Sequence, residues 1–287
     1  MELADELRYR LVSWLGNRLA GVKINKVRRM DVNRRTYCAK RRRWFGSLLI
    51  ATGNIYLKRT GAGVRALPNH QWQLRESEVY RVVHDLELMT DSSGWLLIPE
   101  FSGTVLATYL ESEAHSETEK LDAIRLASLS LSSLHSIEVQ SPDGQQRPLS
   151  HGDATAQNVI LGTSPMKASW FDFDMTHDNL RDTHWRHADD LRALTYSVAE
   201  RLRAAMFPSL STAIVEGYCG AERDVPTPVL DALAESVSYW QTRPISFHLA
   251  QARVGYRERR FLDGALLDAI RCRKNAGGPV QSRVVTS

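Results

Sequence analysis

The spacing of apolar and polar positions changes period several times along this chain, and each change marks an element. Residues 3–19 alternate charged side chains with Leu at helical spacing, which predicts an N-terminal helix within 1–20. VKINKVRRM (22–30) and RTYCAKRRR (35–43) are two short strand patterns around a polar DVN turn. The next stretch, 44–59, reads in two ways. SLLIATGNIYLK makes a hairpin around a Gly-Asn turn, or the segment is a helix that buries Trp44, Phe45, Leu48, Leu49 and Ile50.

In QLRESEVYRVVHDLEL, residues Val79, Tyr80, Val83 and Leu86 fall on one helix face. GWLLIPEF (94–101) is a buried strand that runs into an SGT loop. Leu121, Ile124, Ala127, Leu131 and Leu134 then form the stripe of a long buried helix. NVILG and ASWFDFD are two short strands. From RHADDLRALTYSVAERLR onward the pattern is helical almost to the end, with Tyr239 and Trp240 expected in the core, and the tail NAGGPVQSRVVTS (275–287) reads as disordered. The order gives an α+β fold with a strand-rich N-terminal part, 1–100, and a larger helical part, 101–274. No internal repeat is present.

Composition narrows the class. The apolar and charged fractions are those of a globular protein, and no apolar run approaches a membrane span. The start has charges where a signal peptide needs an apolar core, which points to the cytoplasm. Cys38, Cys219 and Cys272 are too few and too scattered for a disulfide framework or a zinc site. The net charge is only +4, but the cations crowd into the N-terminal third: Arg28, Arg29, Arg34 and Arg35, then the run Lys40 to Arg43. Such a run is either a solvated surface or a face for phosphates or an anionic membrane. Aromatics and cations do not interleave, so no nucleic-acid partner is expected.

The chemistry concentrates in LSHGDATAQNVIL (149–161) and WFDFDMTH (170–177). Asp153 and Asn158 stand five residues apart, and Asp172 and Asp174 follow on the next strand. One carboxylate to accept a hydroxyl proton, with an amide oxygen and a second carboxylate to hold Mg²⁺ against phosphates, is the minimum set for phosphoryl transfer. Turn chemistry explains one such residue but not the ordered set.

HGDATAQN with FDFD resembles the protein-kinase-like fold in its small-molecule branch. That branch includes aminoglycoside and choline phosphotransferases and the bacterial kinases of lipopolysaccharide inner-core sugars, Kdo and heptose. The likeness spans about residues 22 to 200 and is specific around 149–174. It implies a bilobal fold, ATP and Mg²⁺. It makes Asp153 the catalytic base, Asn158 and Asp172 the metal ligands, His151 a brace for the catalytic loop and Asp174 a secondary polar group near the metal. Asp190 resembles the helix acid that ties this loop down from below. Protein kinases carry H-R-D and D-F-G; here Gly152 and Asp174 take those places, and little chain is left for an activation segment. No G-x-G-x-x-G loop is present.

For the nucleotide lysine the resemblance offers Lys40, two residues after the small Cys38, or Lys58. Lys40 is the preferred choice, with Glu76 as its partner and Glu78 pointing away. Glu100, Phe101 and Ser102 are expected to form the hinge whose backbone bonds adenine. His135 reads as a helix-end group, His184 and His187 as helix caps or surface groups within reach of a substrate, and Trp185 as an anchor or a pocket wall. The expected activity is ATP-dependent phosphorylation of a hydroxyl, on a sugar of lipopolysaccharide core or a related anionic glycolipid. The arginines 28, 29, 34 and 35 would hold the enzyme at the inner membrane. An aminoglycoside- or choline-type kinase, a kinase-fold regulator and an atypical protein kinase are the alternatives.

Overall fold

The structure is a computed structural model that describes residues 6–7, 9–10, 24–59, 63–140, 145–163, 166–177, 181–220, 226–242 and 254–276. Of the predicted N-terminal helix, Glu6, Leu7, Tyr9 and Arg10 are helical; the rest of 1–20 lies outside the described residues, as does the tail beyond Ala276. The side chains of Tyr239 and Trp240 lie outside them too. The fold is α+β, with a small strand-rich N-terminal part and a helical C-terminal part.

The first hairpin pairs β1 (Asn25–Val32) with β2 (Arg35–Arg42). Its two-residue turn is Asn33-Arg34, with φ of 50° and 64° at the two positions. Both are left-handed, the backbone twist that lets a tight hairpin match its strands. Helix α1 (Gly46–Arg59) follows, then β3 (Val64–Ala66), helix α2 (Asn69–His84), β4 (Met89–Thr90) and β5 (Leu96–Pro99). One sheet has the order β1-β2-β5-β4. Strand alternation divides the cation run. Tyr37 and Ala39 pack with Trp95 and Leu97 on one face, where the Arg28 and Arg41 guanidinium groups cover the Trp95 ring. Lys40 and Arg42 point to the other face, over Trp72, at 5.1 and 5.2 Å from its ring centroid.

Segment 44–59 settles as a turn at Trp44 and Phe45 followed by the helix α1, so the hairpin alternative fails. Its burial also differs from expectation. Ile50 is buried, but Trp44 is 92% and Leu48 68% exposed. Helical periodicity assigns a face but does not say how many sides of a helix are covered.

Short strand β6 (Thr104–Val105) opens the helical part, followed by α3 (Leu106–Glu111) and α4 (Glu117–His135). A capping box of Ser116 and Glu119 starts α4, satisfying backbone N–H groups that have no intrahelical partner. The hairpin β7 (Glu138–Gln140) and β8 (Gln146–Pro148) leads into the polar loop. Then come β9 (Val159–Thr163), β10 (Met166–Trp170) and β11 (Met175–His177). Helices α5 (Thr183–Ala199), α6 (Phe207–Cys219), α7 (Thr227–Thr242) and α8 (Tyr256–Ala276) complete the chain. Every residue of α5 from Arg186 to Ala199 is buried, and Leu131, Leu194, Leu210, Leu230 and Leu266 meet in the core. Each such side chain stabilises the fold by about 1.5–3 kcal/mol when fully buried.

Of two further pairings, the first joins the parts and the second lies within the helical part. β3 pairs with β11, and β6 pairs with β9 in the sheet β10-β9-β6. Gly103 makes the second pairing possible: its φ is 144°, and a Cβ there would sit 2.2 Å from the Leu161 carbonyl oxygen. Among the described residues no helix is long and apolar enough to cross a membrane.

Candidate functional site

Lys40 lies at the centre of a charged cluster and is 4% exposed. Its Nζ is 2.9 Å from Glu76 Oε2, bonds the Asp172 carboxylate, and lies 3.5 Å from Asp174 Oδ2. The register sets this up. Lys40 projects from β2 toward α2, whose inner face presents Glu76 with Trp72, Val79 and Tyr80. Glu78, two residues on, points outward and pairs with Arg81. The three carboxylates hold the Lys40 ammonium well above its usual range, outweighing burial. Burial raises Glu76 to about 7, against the pull of Lys40.

Asp172 adopts φ 67°, in the left-handed region that Asp tolerates better than most residues. That turn sends its carboxylate to Lys40 and lets the chain double back into β11. Asp174 is held by Arg42 at 3.3 Å and by Asn25, which donates at 2.8 Å. Burial opposes its ionisation, but Lys40, Arg42 and Asn25 outweigh that and lower it. Asp172 goes the other way, raised by burial and by Asp174 beside it.

Asp153 and Asn158 lie on the loop before β9. Asn158 donates its amide to the Asp153 carbonyl at 2.8 Å and carboxylate at 3.0 Å. The amide oxygen of Asn158 therefore points away from Asp153. Burial, then Asp172 and Asp174, push the Asp153 carboxyl up to about 7. A carboxylate in that range accepts and releases a proton near neutral pH.

The loop is held from beneath. Asp190 accepts from the backbone N–H of His151 at 2.7 Å and of Gly152 at 2.8 Å. His135 Nε2 completes the set at 3.1 Å. Gly152 has φ 83°, and a Cβ would lie 2.9 Å from Thr176 N, so the loop packs on β11 only with glycine there. His151 is fully buried. Its Nε2–H faces the Phe171 carbonyl at 3.0 Å, and its Nδ1 accepts from Asp153 N at 3.3 Å. Both nitrogens are used, so the ring braces the loop as a neutral imidazole. Burial lowers it to about 4.

No family model and no curated protein matches this chain. The site's chemistry therefore rests on its own geometry. Among the described residues no three His, Cys, Asp or Glu side chains converge on one metal position. What the cluster does offer is hard oxygens: the Asn158 amide and the Asp172 carboxylate, the latter partly exposed and short of positive charge. Mg²⁺ takes one or two carboxylates from protein and completes its shell with phosphates and water, so this donor set fits it.

Two expectations need correction, the second for a backbone N–H alone. Lys58 is exposed on α1 and does not belong to the cluster; with no strand there, nothing aims it inward. Glu100 spends its N–H on the Thr36 carbonyl at 3.1 Å, and its side chain pairs with Arg29 at 2.9 Å, so that N–H has no bond left for a ligand. Arg41 faces Trp95; Arg42 is the second cation of the site. Phe101 and Ser102 line a cleft of about 240 Å³ with Ile160, Gly162 and Lys167, and none of the side chains around Lys40 lines it.

Sequence reasoning passed over Arg42, Asn25, Trp72 and Arg75, whose guanidinium donates to the Ser150 carbonyl at 2.8 Å. Period-two alternation from Lys40 would have found Arg42. His135 ends α4, as expected of a helix-end group, and it is buried between Asp190 and Tyr218, which nothing in its local sequence signals. His184 is exposed as expected, but His187 is buried, stacked on His135 and 3.0 Å from the Leu149 carbonyl, because α5 turns that side into the core. Trp185 abuts Gly63, anchoring its segment.

Proposed function

We propose that this protein transfers the γ-phosphoryl group of Mg·ATP to a hydroxyl, on a protein-kinase-like scaffold. The observation that carries the reading is the convergence on Lys40. A buried lysine between Glu76 and Asp172, beside a loop bearing Asp153 and Asn158, joins five residues from four separate stretches in the roles phosphoryl transfer needs. Lys40 binds the α- and β-phosphates and Glu76 orients it. Asn158 and Asp172 would hold Mg²⁺, which when bound offsets charge developing on the transferred group. Asp153 orients the acceptor hydroxyl and takes its proton. Phe101 and Ser102 offer backbone to the base. Asp190 and His151 position the loop without touching the reactants.

The acceptor reading rests on charge. The strand-rich part is cationic, which suits an anionic acceptor such as a glycolipid sugar better than a polycationic aminoglycoside. Turnover of ATP with candidate acceptors is the test. Wild type should transfer label, and Asp153→Ala and Asp172→Ala should lose transfer while retaining the fold. Full activity in both variants would overturn the assignment.

A further inference from the structure

Helix α1 turns an apolar stripe to solvent. Leu48 and Ile55, 68% and 56% exposed, lie seven residues apart on one side of the helix, and Trp44, 92% exposed, stands in the turn two residues before its start. Thr52 and Arg59 continue that side, and Lys58 lies next to it; all three are exposed. The opposite side is fixed. Ile50 and Leu57 are buried, and Leu57 packs on Val64 and Met175. The Asn54 amide bonds both the N–H and the carbonyl of Ala66, at 2.8 and 2.9 Å. The helix therefore cannot roll to bury its outer stripe.

The charge around the stripe has one sign. Between residues 32 and 75 the chain carries ten Lys and Arg side chains and no Asp or Glu. Lys40 and Arg42 are taken up by the site and Arg41 lies on Trp95. Arg34, Arg35, Lys58 and Arg59 are exposed.

We infer that α1 is a membrane-docking helix that seats Trp44, Leu48 and Ile55 in the interface of an anionic leaflet, with Lys58 and Arg59 on the headgroups. An interfacial helix lies in the headgroup plane with apolar side chains inserted and basic neighbours on the anionic surface, and an exposed Trp is at home at headgroup depth. A protein partner fits less well: a stable interface buries roughly 800 Å² per partner, more than three side chains supply. A second copy would bring like charge against like charge. The inference does not depend on phosphoryl transfer, because it concerns the outer face of α1.

Cosedimentation of the full chain with vesicles tests it. Wild type should pellet with phosphatidylcholine vesicles containing phosphatidylglycerol and stay soluble with phosphatidylcholine alone. High salt should weaken binding as the charges are screened. The variant Trp44→Ser/Leu48→Ser/Ile55→Ser should lose about tenfold or more in vesicle affinity, because each apolar side chain leaves water on insertion. Lys58→Gln/Arg59→Gln should lose a smaller factor, and all the substituted side chains are exposed, so both variants should keep wild-type thermal unfolding. Unchanged vesicle binding by the triple variant overturns the inference, as does equal binding to both vesicle types. A wild-type dimer in solution that the triple variant abolishes, without vesicle binding, would assign the stripe to self-association instead.

Discussion

Two buried acidic clusters lie on either side of the Asp153 loop, and they behave in opposite ways. Around Lys40, the carboxyls of Glu76, Asp153, Asp172 and Asp174 share two cations, Lys40 and Arg42. Three of the four carboxyls are raised above their ordinary range, burial leading in each case. Beneath the loop, burial acts on Asp190 too, but His177, His135 and His151 outweigh it and hold Asp190 well below the usual range. Two backbone N–H groups and His135 bond its oxygens, while Asp189 is bonded by Arg192 and His177. Burial is common to both places; the partners decide the sign. The lower cluster is satisfied by the protein. The upper one holds negative charge that its own cations do not offset, which is the condition for taking up a metal ion with phosphates.

The sharpest way to break this comparison is to remove one carboxylate from each cluster. Asp153→Ala should cut turnover by about 10²–10⁴-fold, the range a positioned general base contributes, with little change in stability. Asp190→Ala should destabilise the fold by about 3–5 kcal/mol, as removing one partner from a buried charged network does. Denaturant unfolding and initial rates on the same two proteins separate the roles. If Asp153→Ala unfolds and Asp190→Ala does not, the clusters have been assigned the wrong way round.

Metal sharpens it further. Mg²⁺ with ATP should raise the stability of wild type by about 2.7 kcal/mol at a hundredfold excess over Kd. The shift should shrink strongly in Asp172→Asn and persist in variants of the lower cluster that still fold. Without metal or nucleotide, Asp172→Asn should be neutral or slightly stabilising, because it relieves repulsion from Asp174. A clear loss of stability in the metal-free variant would mean that Lys40 alone satisfies Asp172.

The upper cluster was largely legible in the sequence and the lower one only in part. Asp153, Asn158, Asp172 and Asp174 sit within a short span, so their spacing carries their chemistry. Lys40 was reachable through the resemblance, and Glu76 through the helix face it shares with Val79, Tyr80 and Val83. Arg42 needed the alternation of β2 to be followed two residues further. The N–H of Glu100 is lost to a hinge because a neighbouring strand claims it, here at Thr36, which side-chain patterns do not reveal. Of the lower cluster only Asp190 was visible. Its partners His135 and His177 come from the end of α4 and from β11, brought together by packing that no local pattern encodes. Lys58 and the exposed Trp44 fell to the same ambiguity in 44–59, an apolar run that suits hairpin and helix alike.

The smallest effect is a difference in pH dependence. Burial holds His151, His135 and His187 below their usual range, so the unfolded chain binds their protons first. Stability from these groups is present above pH 6.5 and is lost as pH falls toward 4. Asp153 and Glu76 oppose them. Both are raised to about 7, so the folded protein binds their protons first, and their contribution is present in acid and lost as pH rises through 7. In metal-free buffer the two sets partly cancel, and wild type should lose stability only gently between pH 6.5 and 4.5. Asp153→Asn removes one opposing proton, so its stability should fall more steeply over that window, by about 1.4 kcal/mol per pH unit at most. Denaturant midpoints of the two proteins across the window measure the difference. Parallel curves would show that Asp153 ionises at its ordinary pH and that the negative charge around Lys40 is already offset without metal.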